Sequence, residues 1–256
     1  MPDECFRFGY QLEKFEQHEG NNGGVTLHFA NDMPSCTVRY LIDAGGIRSA
    51  TRQQLIGDKR IPRLRATFSI LPSTRVEQAM DSFGENRSAQ GELAFISGED
   101  LSVVTMGLKD GGIMWSQTDL GADPFKRIAE NDDELRRELE SKYDNKWPGN
   151  IRALVEATQL DDVIESTVSE LPVSWKWGED DVTLLGDAAH AQLPALGLGV
   201  STAFGDIEEL VKQIRRHGLN RKALRWYEIN RMPICAALQL MSRGMYMLTK
   251  VSANAE

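Results

Sequence analysis

The run VTLLGDAAHAQLPALGLG, residues 182–199, constrains the fold more than any other part of the chain. It begins as a short apolar, β-favouring strand and stops abruptly at Gly186-Asp187. Small residues, one proline and the glycines at 197 and 199 then lead into a helical pattern. A strand ending in Gly-Asp puts a carboxylate at the carboxyl edge of a sheet, where it can accept a hydrogen bond from a ribose hydroxyl. The helix that follows opens with unpaired N–H groups at the positive end of its dipole, suited to an anion or an electron-rich ring carbonyl. Gly197 and Gly199 keep side chains out of the way. The stretch predicts an α/β (α+β) fold with a nucleotide-like site at a strand-to-helix turn.

What surrounds that turn is bounded by size and charge. At 256 residues the chain can hold one large domain or two small ones. The 38 acidic residues outnumber the 29 Lys and Arg, giving a net charge of -9 with no basic tract. That balance speaks against nucleic acid as a partner and against a polybasic membrane patch. Cys5, Cys36 and Cys235 lie far apart without a CxxC pair, a pattern of ordinary buried thiols in a reducing compartment rather than of a zinc ribbon or disulfide scaffold. No apolar run reaches the length of a membrane span, and the first residues carry no basic region followed by an apolar one. The expected location is cytoplasmic.

Along the chain, FRFGYQLEKFEQ, GGVTLHFAN and CTVRYLID read as strands of a small meander. AGGIRSATRQQLIG reads as a glycine turn into a short helix with Ser49 as N-cap. ELAFIS, LSVVTMGL and GGIMWSQT predict a middle sheet, DPFKRIAENDDELRRELESKY a charged helix, and IRALVEA a second one after the break at Trp147-Pro148-Gly149. IESTVSE, PVSWKWG and DVTLLGD return to strand. GVSTAFGDIEELVKQIRRHG is a helix with Gly218 past its end, and the last segment, carrying Pro233, predicts a kinked helix or two helices.

VTLLGDAAHAQLPALGLGVSTAFGD resembles the Gly-Asp motif of the flavin-dependent aromatic hydroxylases, the para-hydroxybenzoate hydroxylase family of FAD monooxygenases. YLIDAGGIRSATRQQL resembles that family's second fingerprint, and ALRWYEINRMPICAALQLMSR its C-terminal helix, so the likeness covers most of the chain. The resemblance implies a partial FAD-binding domain with a mixed β-sheet substrate domain and C-terminal helices. Residues 1–60 would form the FAD-domain meander and glycine turn, 61–175 the β-sheet substrate domain, and 176–256 the Gly-Asp motif and C-terminal helices. It implies FAD as cofactor, NAD(P)H as reductant and a small-molecule substrate hydroxylated or epoxidised with dioxygen. Gly186 and Asp187 would hold the FAD ribose, and Pro194, Gly197, Leu198 and Gly199 would line the flavin ring. Arg48 would lie near the route of NAD(P)H, with Trp115 and Leu193 as walls of the substrate pocket.

The sequence departs from the family pattern at two places. The family's opening strand, GxGxxG turn and helix, about 30 residues that hold the pyrophosphate, do not precede the meander. In Asp43-Ala44-Gly45-Gly46 the family's acid is Gly45, and the nearest carboxylate, Asp43, stands two residues earlier. An exposed apolar face where the missing lobe would pack predicts a homo-oligomer or a partner chain. Each feature also has a structural reading: Asp187 as a turn cap, His190 as a hydrogen-bonding group rather than a base, Arg48 in a local ion pair, and Met241, Met245, Tyr246 and Met247 as core or partner face. No metal site is expected, because His18, His28 and His217 give no ligand spacing with His190. Three functions remain open on the residues: a flavin monooxygenase, a flavin-free isomerase or cyclase in the same pocket, and a non-catalytic binding protein.

Overall fold

The structure, a computed structural model, describes residues 5–19, 23–57, 59–78, 91, 93–97, 101–119, 131, 133–134, 137–138, 141 and 149–253. The chain divides into two compact units, Met1–Ile61 with Ser169–Leu248, and Pro62–Val168 with Thr249–Glu256. The first therefore combines sequence-distant halves, and the middle of the chain is inserted between them.

In the first unit, β1 (Leu12–Gln17), β2 (Val25–Phe29) and β3 (Cys36–Val38) form an antiparallel sheet in that order. Gly9, at φ 83°, turns the chain before β1, so the predicted strand from Phe6 loses its first half. CTVRYLID also divides. After β3 the chain bends at Arg39-Tyr40 and enters β4 (Leu41–Asp43), which belongs to a different sheet. The split follows from pairing: Cys36 to Val38 pair antiparallel with β2, whereas Leu41 to Asp43 pair parallel with β11 (Val182–Leu184). A short hairpin strand, β10 (Gly178–Glu179), flanks β11 on its other side.

PVSWKWG is not a strand. Ser174 accepts a bond from the Lys176 N–H and its carbonyl accepts one from the Trp177 indole, closing a local turn that leaves Trp175 exposed and Trp177 buried. The first helix, α1 (Ala50–Ile56), starts at Ser49, whose hydroxyl caps the Arg52 N–H as expected. Gln54 on that helix pairs with both backbone groups of Phe15, completing the edge of β1 as another strand would.

The second unit holds a five-stranded sheet in the order β6-β7-β8-β5-β9, built from β5 (Ile61–Leu71), β6 (Leu93–Ser97), β7 (Leu101–Gly107), β8 (Ile113–Asp119) and β9 (Ile164–Glu170). Residues 65–71 of β5 face 113–119 of β8 in an unbroken antiparallel register. A short helix, α2 (Ser73–Gln78), follows β5, and α3 (Gly149–Ala157) precedes β9. The predicted charged helix lies mostly outside the described residues, with 133–134, 137–138 and 141 helical, and so does Trp147. The sequence placed the second boundary after residue 175; here the chain leaves this sheet with β9, and Ser169 already belongs to the first unit.

Back in the first unit come α4 (Asp187–His190), a 3-10 turn at Pro194–Leu196, α5 (Gly199–His217) and α6 (Arg221–Ala253), the last of these as far as Leu248. The last runs through Pro233 as one helix rather than two. Leu224 and Tyr227 on one side of the proline, and Met232 and Cys235 around it, all join one buried cluster with Leu184, Ala188 and Leu210. Burial on both sides of Pro233 holds the helix together where local chemistry would break it. Tyr227 is fully buried and donates its hydroxyl to the Leu184 carbonyl, fixing α6 on β11. Tyr246 is buried, whereas Met241, Met245 and Met247 are about half exposed. Of the cysteines only Cys235 is buried; Cys5 is exposed and Cys36 intermediate, a correction to the expectation for all three. None of the helices among the described residues is long and apolar enough to cross a membrane.

Candidate functional site

Parallel pairing of β4 and β11 brings two sequence-distant strand ends side by side. Leu184 pairs with Asp43, and the Leu185 N–H continues the ladder to the Asp43 carbonyl, so Asp43 and Gly186-Asp187 leave the sheet at adjacent carboxyl ends. That edge is where open α/β sheets bind ligands. Gly186 takes φ 60°, ψ −138°, a conformation suited to glycine, and redirects the chain into α4 with Asp187 exposed in its first turn. Pro194 opens the 3-10 turn and Gly197, left-handed at φ 64°, closes it. Gly199 then starts α5 without any side-chain cap, leaving its first N–H groups for a ligand.

These residues line one cleft of about 580 Å³ that contains Asp187, Gln192, Leu193, Pro194, Gly197 and Gly199. A Cβ at Gly197 or Gly199 would meet nothing within 4 Å. The glycines thus leave open space at the helix start, a shape that fits a flat ring. The volume lies within the usual range of small-molecule sites, roughly 300–1,000 Å³. Leu198, half exposed, sits between them and accepts the Thr202 hydroxyl at its carbonyl.

Arg48 is exposed on a 3-10 turn, Gly46–Arg48, that packs against α4 but does not line the cleft. The deeper contact comes from Arg52, 2% exposed, whose Nη1 donates at 3.2 Å to the carbonyls of both Ala188 and Ala189. Sequence reasoning quoted Arg52 inside its second motif but assigned the role to Arg48. Its signal was its place three residues after the Ser49 cap. The missing acid at position 45 has a geometric counterpart: a Cβ on Gly45 would lie 2.9 Å from the Asp43 carboxylate. Asp43 fills that space itself, accepting bonds from the Gly45 N–H and the Ser49 hydroxyl. The carboxylate has moved two residues along the chain and still reaches the cap of α1.

Trp115 is 1% exposed and donates its indole N–H to the Thr158 hydroxyl at 2.9 Å, inside the second unit. Leu193, also 1% exposed, lies in the cleft wall, and its carbonyl accepts the Ser242 hydroxyl at 2.5 Å. Gln239 donates to the Leu171 and Ala191 carbonyls, so α6 holds the segment that carries the cleft.

Beneath the Gly-Asp turn lies a residue that the sequence did not single out. Asp206 on α5 is fully buried, and its carboxylate accepts from the Gly186 N–H at 3.0 Å, His190 Nε2 at 2.6 Å and Arg231 Nε at 2.7 Å, with the Cys235 thiol at 3.8 Å. Burial by itself would raise the Asp206 carboxyl, but His190 first, then Arg231 and the Gly186 N–H, hold it below its ordinary value. Burial and the Asp206 charge push the Cys235 thiol up to about 12. The ligand atoms of His190, Asp206 and Cys235 lie within 4.8 Å of one another, close enough for a metal. The Asp206 oxygens are already taken by donors, and the Arg231 guanidinium supplies the positive charge there. Gly205 permits this, since a Cβ on it would meet the guanidinium at 2.9 Å.

Asp206→Asn is expected to cost about 3 kcal/mol at pH 7, because it breaks an ion pair whose carboxylate is fully buried and leaves the partly buried Arg231 guanidinium without its counter-charge; urea unfolding measures it. A carboxyl lowered in the folded state stabilises fully above its unfolded value of about 3.9 and loses that contribution as pH falls through the lowered one. The wild type should therefore lose stability below about pH 4, and the variant should lack that component. Equal stability of the two at pH 7 would contradict this role of Asp206.

Comparison with known proteins agrees with this geometry. The chain matches the FAD binding domain family over residues 4–239. It is 27% identical over 207 residues to the chloroplastic zeaxanthin epoxidase of Nicotiana plumbaginifolia, covering 81% of this chain and 29% of that protein. It is 25% identical over 249 residues to the 6-methylsalicylate 1-monooxygenase atA of Aspergillus terreus, covering 89% of this chain and 51% of that one. Among solved structures, Klebsiella pneumoniae HpxO complexed with FAD and uric acid superposes with a TM-score of 0.79 at 25% identity, over 96% of this chain and 60% of its own. The chain thus spans about three-tenths of the plant relatives' length. It belongs to the FAD binding domain family of the flavin-dependent aromatic hydroxylases and monooxygenases.

Proposed function

We propose that this chain carries the ring-facing cleft of an FAD-dependent monooxygenase that hydroxylates or epoxidises a small aromatic or polycyclic substrate, with NAD(P)H as reductant and dioxygen as oxidant. The carrying observation is the cleft itself: Asp187 and the uncapped start of α5 border open space that the glycines at 197 and 199 leave clear. The relatives named for epoxidation and monooxygenation support the reaction class.

When bound, FAD would supply electron transfer from the reductant and activation of dioxygen, chemistry that belongs to the cofactor. The chain's own residues hold and orient it. Asp187, exposed at the strand end, accepts hydrogen bonds from the ribose, with Gly186 setting its direction. Pro194, Gly197, Leu198 and Gly199 flank the ring, and the first N–H groups of α5 face developing negative charge on its carbonyl side. Leu193 offers an apolar wall to the substrate. Arg48 stands on the turn beside α4, where a cation suits the phosphates of the reductant. Trp115 is committed to Thr158 and supports the second unit's core.

Purified protein titrated with FAD should quench flavin fluorescence and shift its visible absorbance, and Asp187→Ala should weaken binding about tenfold, the worth of one hydrogen bond to a charged group. A wild-type chain that stays colourless and leaves FAD fluorescence unchanged would overturn this reading in favour of a flavin-free activity or a binding role.

The apolar stripe of α5 that borders the cleft is uncovered among the described residues, and we infer that a second copy of this chain packs on it. Val200 and Phe204 are 71% and 66% exposed, and Ile207 and Val211 continue their stripe along one face of α5. Among the described residues β4 is also an edge strand of its sheet. Sedimentation equilibrium should show an oligomer that Phe204→Glu dissociates; a wild-type monomer at high concentration would contradict self-association.

A further inference from the structure

The net charge of -9 speaks against a basic membrane patch, yet the hairpin that joins the two long helices is a local exception. Residues 210–227 hold six of the 29 Lys and Arg, together with His217, and no acid. The turn gathers them at one end of both helices. α5 finishes on Arg215-Arg216-His217, and Gly218 turns the chain at φ 79°. Asn220 then fixes the start of α6, donating to the His217 carbonyl and accepting the Ala223 N–H. Lys212 is bound to Glu209, Arg221 to Asp180 and Asp181, and Arg225 to Glu228. Arg215, Arg216 and Lys222 are exposed and make no ion pair among the described residues. The His217 imidazole registers the crowding, since desolvation first, then the charges of Lys222 and Arg216, hold it below its ordinary value.

Leu219, in the turn itself, is about half exposed, and an apolar stripe runs from there along the exposed face of α6. Trp226, Ile229, Pro233, Leu240 and Met241 recur at helical spacing, all exposed, and Lys222 begins the same face one turn before Trp226. From Lys222 to Met241 the stripe is about 28 Å long. Glu228, the single acid in the sequence of α6, is buried against Thr183 and Arg225. The face is thus apolar along its length and cationic at its end, and an occupant must satisfy both parts. A second copy of α6 laid antiparallel would cover the stripe and leave the cations without a counter-charge, because that helix exposes no acid. A bilayer surface with anionic headgroups meets both parts: the headgroups take the cations, and the Trp and aliphatic side chains enter at the acyl boundary. We propose that the α5–α6 hairpin and the exposed face of α6 dock on an anionic lipid surface. The helix lies in the plane of that surface, since no described helix is long and apolar enough to cross it. The docking is independent of the flavin cleft.

Co-sedimentation of the purified chain with phosphatidylcholine vesicles, made with and without phosphatidylglycerol, tests this. Wild type should pellet with the anionic vesicles and stay in the supernatant with the neutral ones, and added salt should release it. Arg216→Gln combined with Lys222→Gln should weaken partitioning by about thirtyfold, the effect of two surface cations lost. Both substitutions sit at exposed positions without ion pairs, so the variant should melt with wild type. Trp226→Phe keeps an apolar ring and should still pellet. Vesicles with brominated acyl chains should quench tryptophan emission in wild type, and that quenching should be lost in Trp226→Phe. Wild type left in the supernatant with anionic vesicles would overturn the proposal and turn attention to an acidic protein surface as the occupant. Pelleting that ignores the double substitution, or quenching retained in Trp226→Phe, would overturn it by placing the contact elsewhere on the chain.

Discussion

A single buried carboxylate organises the first unit. Asp206 reaches from α5 to the backbone of Gly186, to the ring of His190 and to Arg231 on α6, so the strand end, the Gly-Asp turn and both long helices meet at one charge. A carboxylate is needed because its partners are all donors: an ionised acid accepts from each, whereas an amide would present a donor to one of them. His190 Nε2 must carry its proton toward that acid, and the imidazole packs at a tilt against Trp177, which closes the hydrophobic side of the hub. The cost of burying the acid is offset by Arg231 and by the low local dielectric that strengthens each bond. A turn held this way can keep Asp187 and the glycines in place before any ligand arrives.

Around the hub, backbone carbonyls are the attachment points. Arg52 holds Ala188 and Ala189, Gln239 holds Leu171 and Ala191, and Ser242 holds Leu193. The segment that forms the cleft is irregular, so few of its carbonyls have the backbone partners a helix or sheet would give; Ala191, which accepts the Leu171 N–H, is one that does. Side chains from α1 and α6 provide them. The irregular stretch is thereby tied to the elements beside it, while its glycines at 197 and 199 remain open toward the cleft.

Local signals carried much of this into the sequence. Gly186-Asp187 after an apolar strand, Pro194 before a glycine turn and Gly218 after a basic last turn each reflect a conformation that few residues adopt, so they were legible one at a time. Asp206 was not, since an acid at that point of GVSTAFGDIEELVKQ looks like any solvent-facing helix position; only its distance to Gly186 reveals it. The same holds for Arg52, whose burial depends on α4 lying against the turn before α1. Strand limits failed where pairing partners decide them, as at Val38 and Leu41, which share a sequence run and enter different sheets. Pro233 misled in the other direction, because tertiary burial on both sides outweighed its local preference. The displaced acid at Asp43 was legible in the sequence, but that its carboxylate fills the space beside Gly45 and reaches the Ser49 cap is seen only in the fold.

The central claim is that the cleft between Asp187 and Ile207 is where this chain meets a flavin. Hydrogen exchange read by mass spectrometry, with and without FAD, tests it most directly because it reports location as well as binding. The account predicts slowed exchange across residues 186–207, greatest at the start of α5, with little change in the meander of β1 to β3. Protection centred elsewhere, for instance around the second cleft bordered by Arg52, Lys59 and Lys176, with 186–207 unaffected, would contradict it.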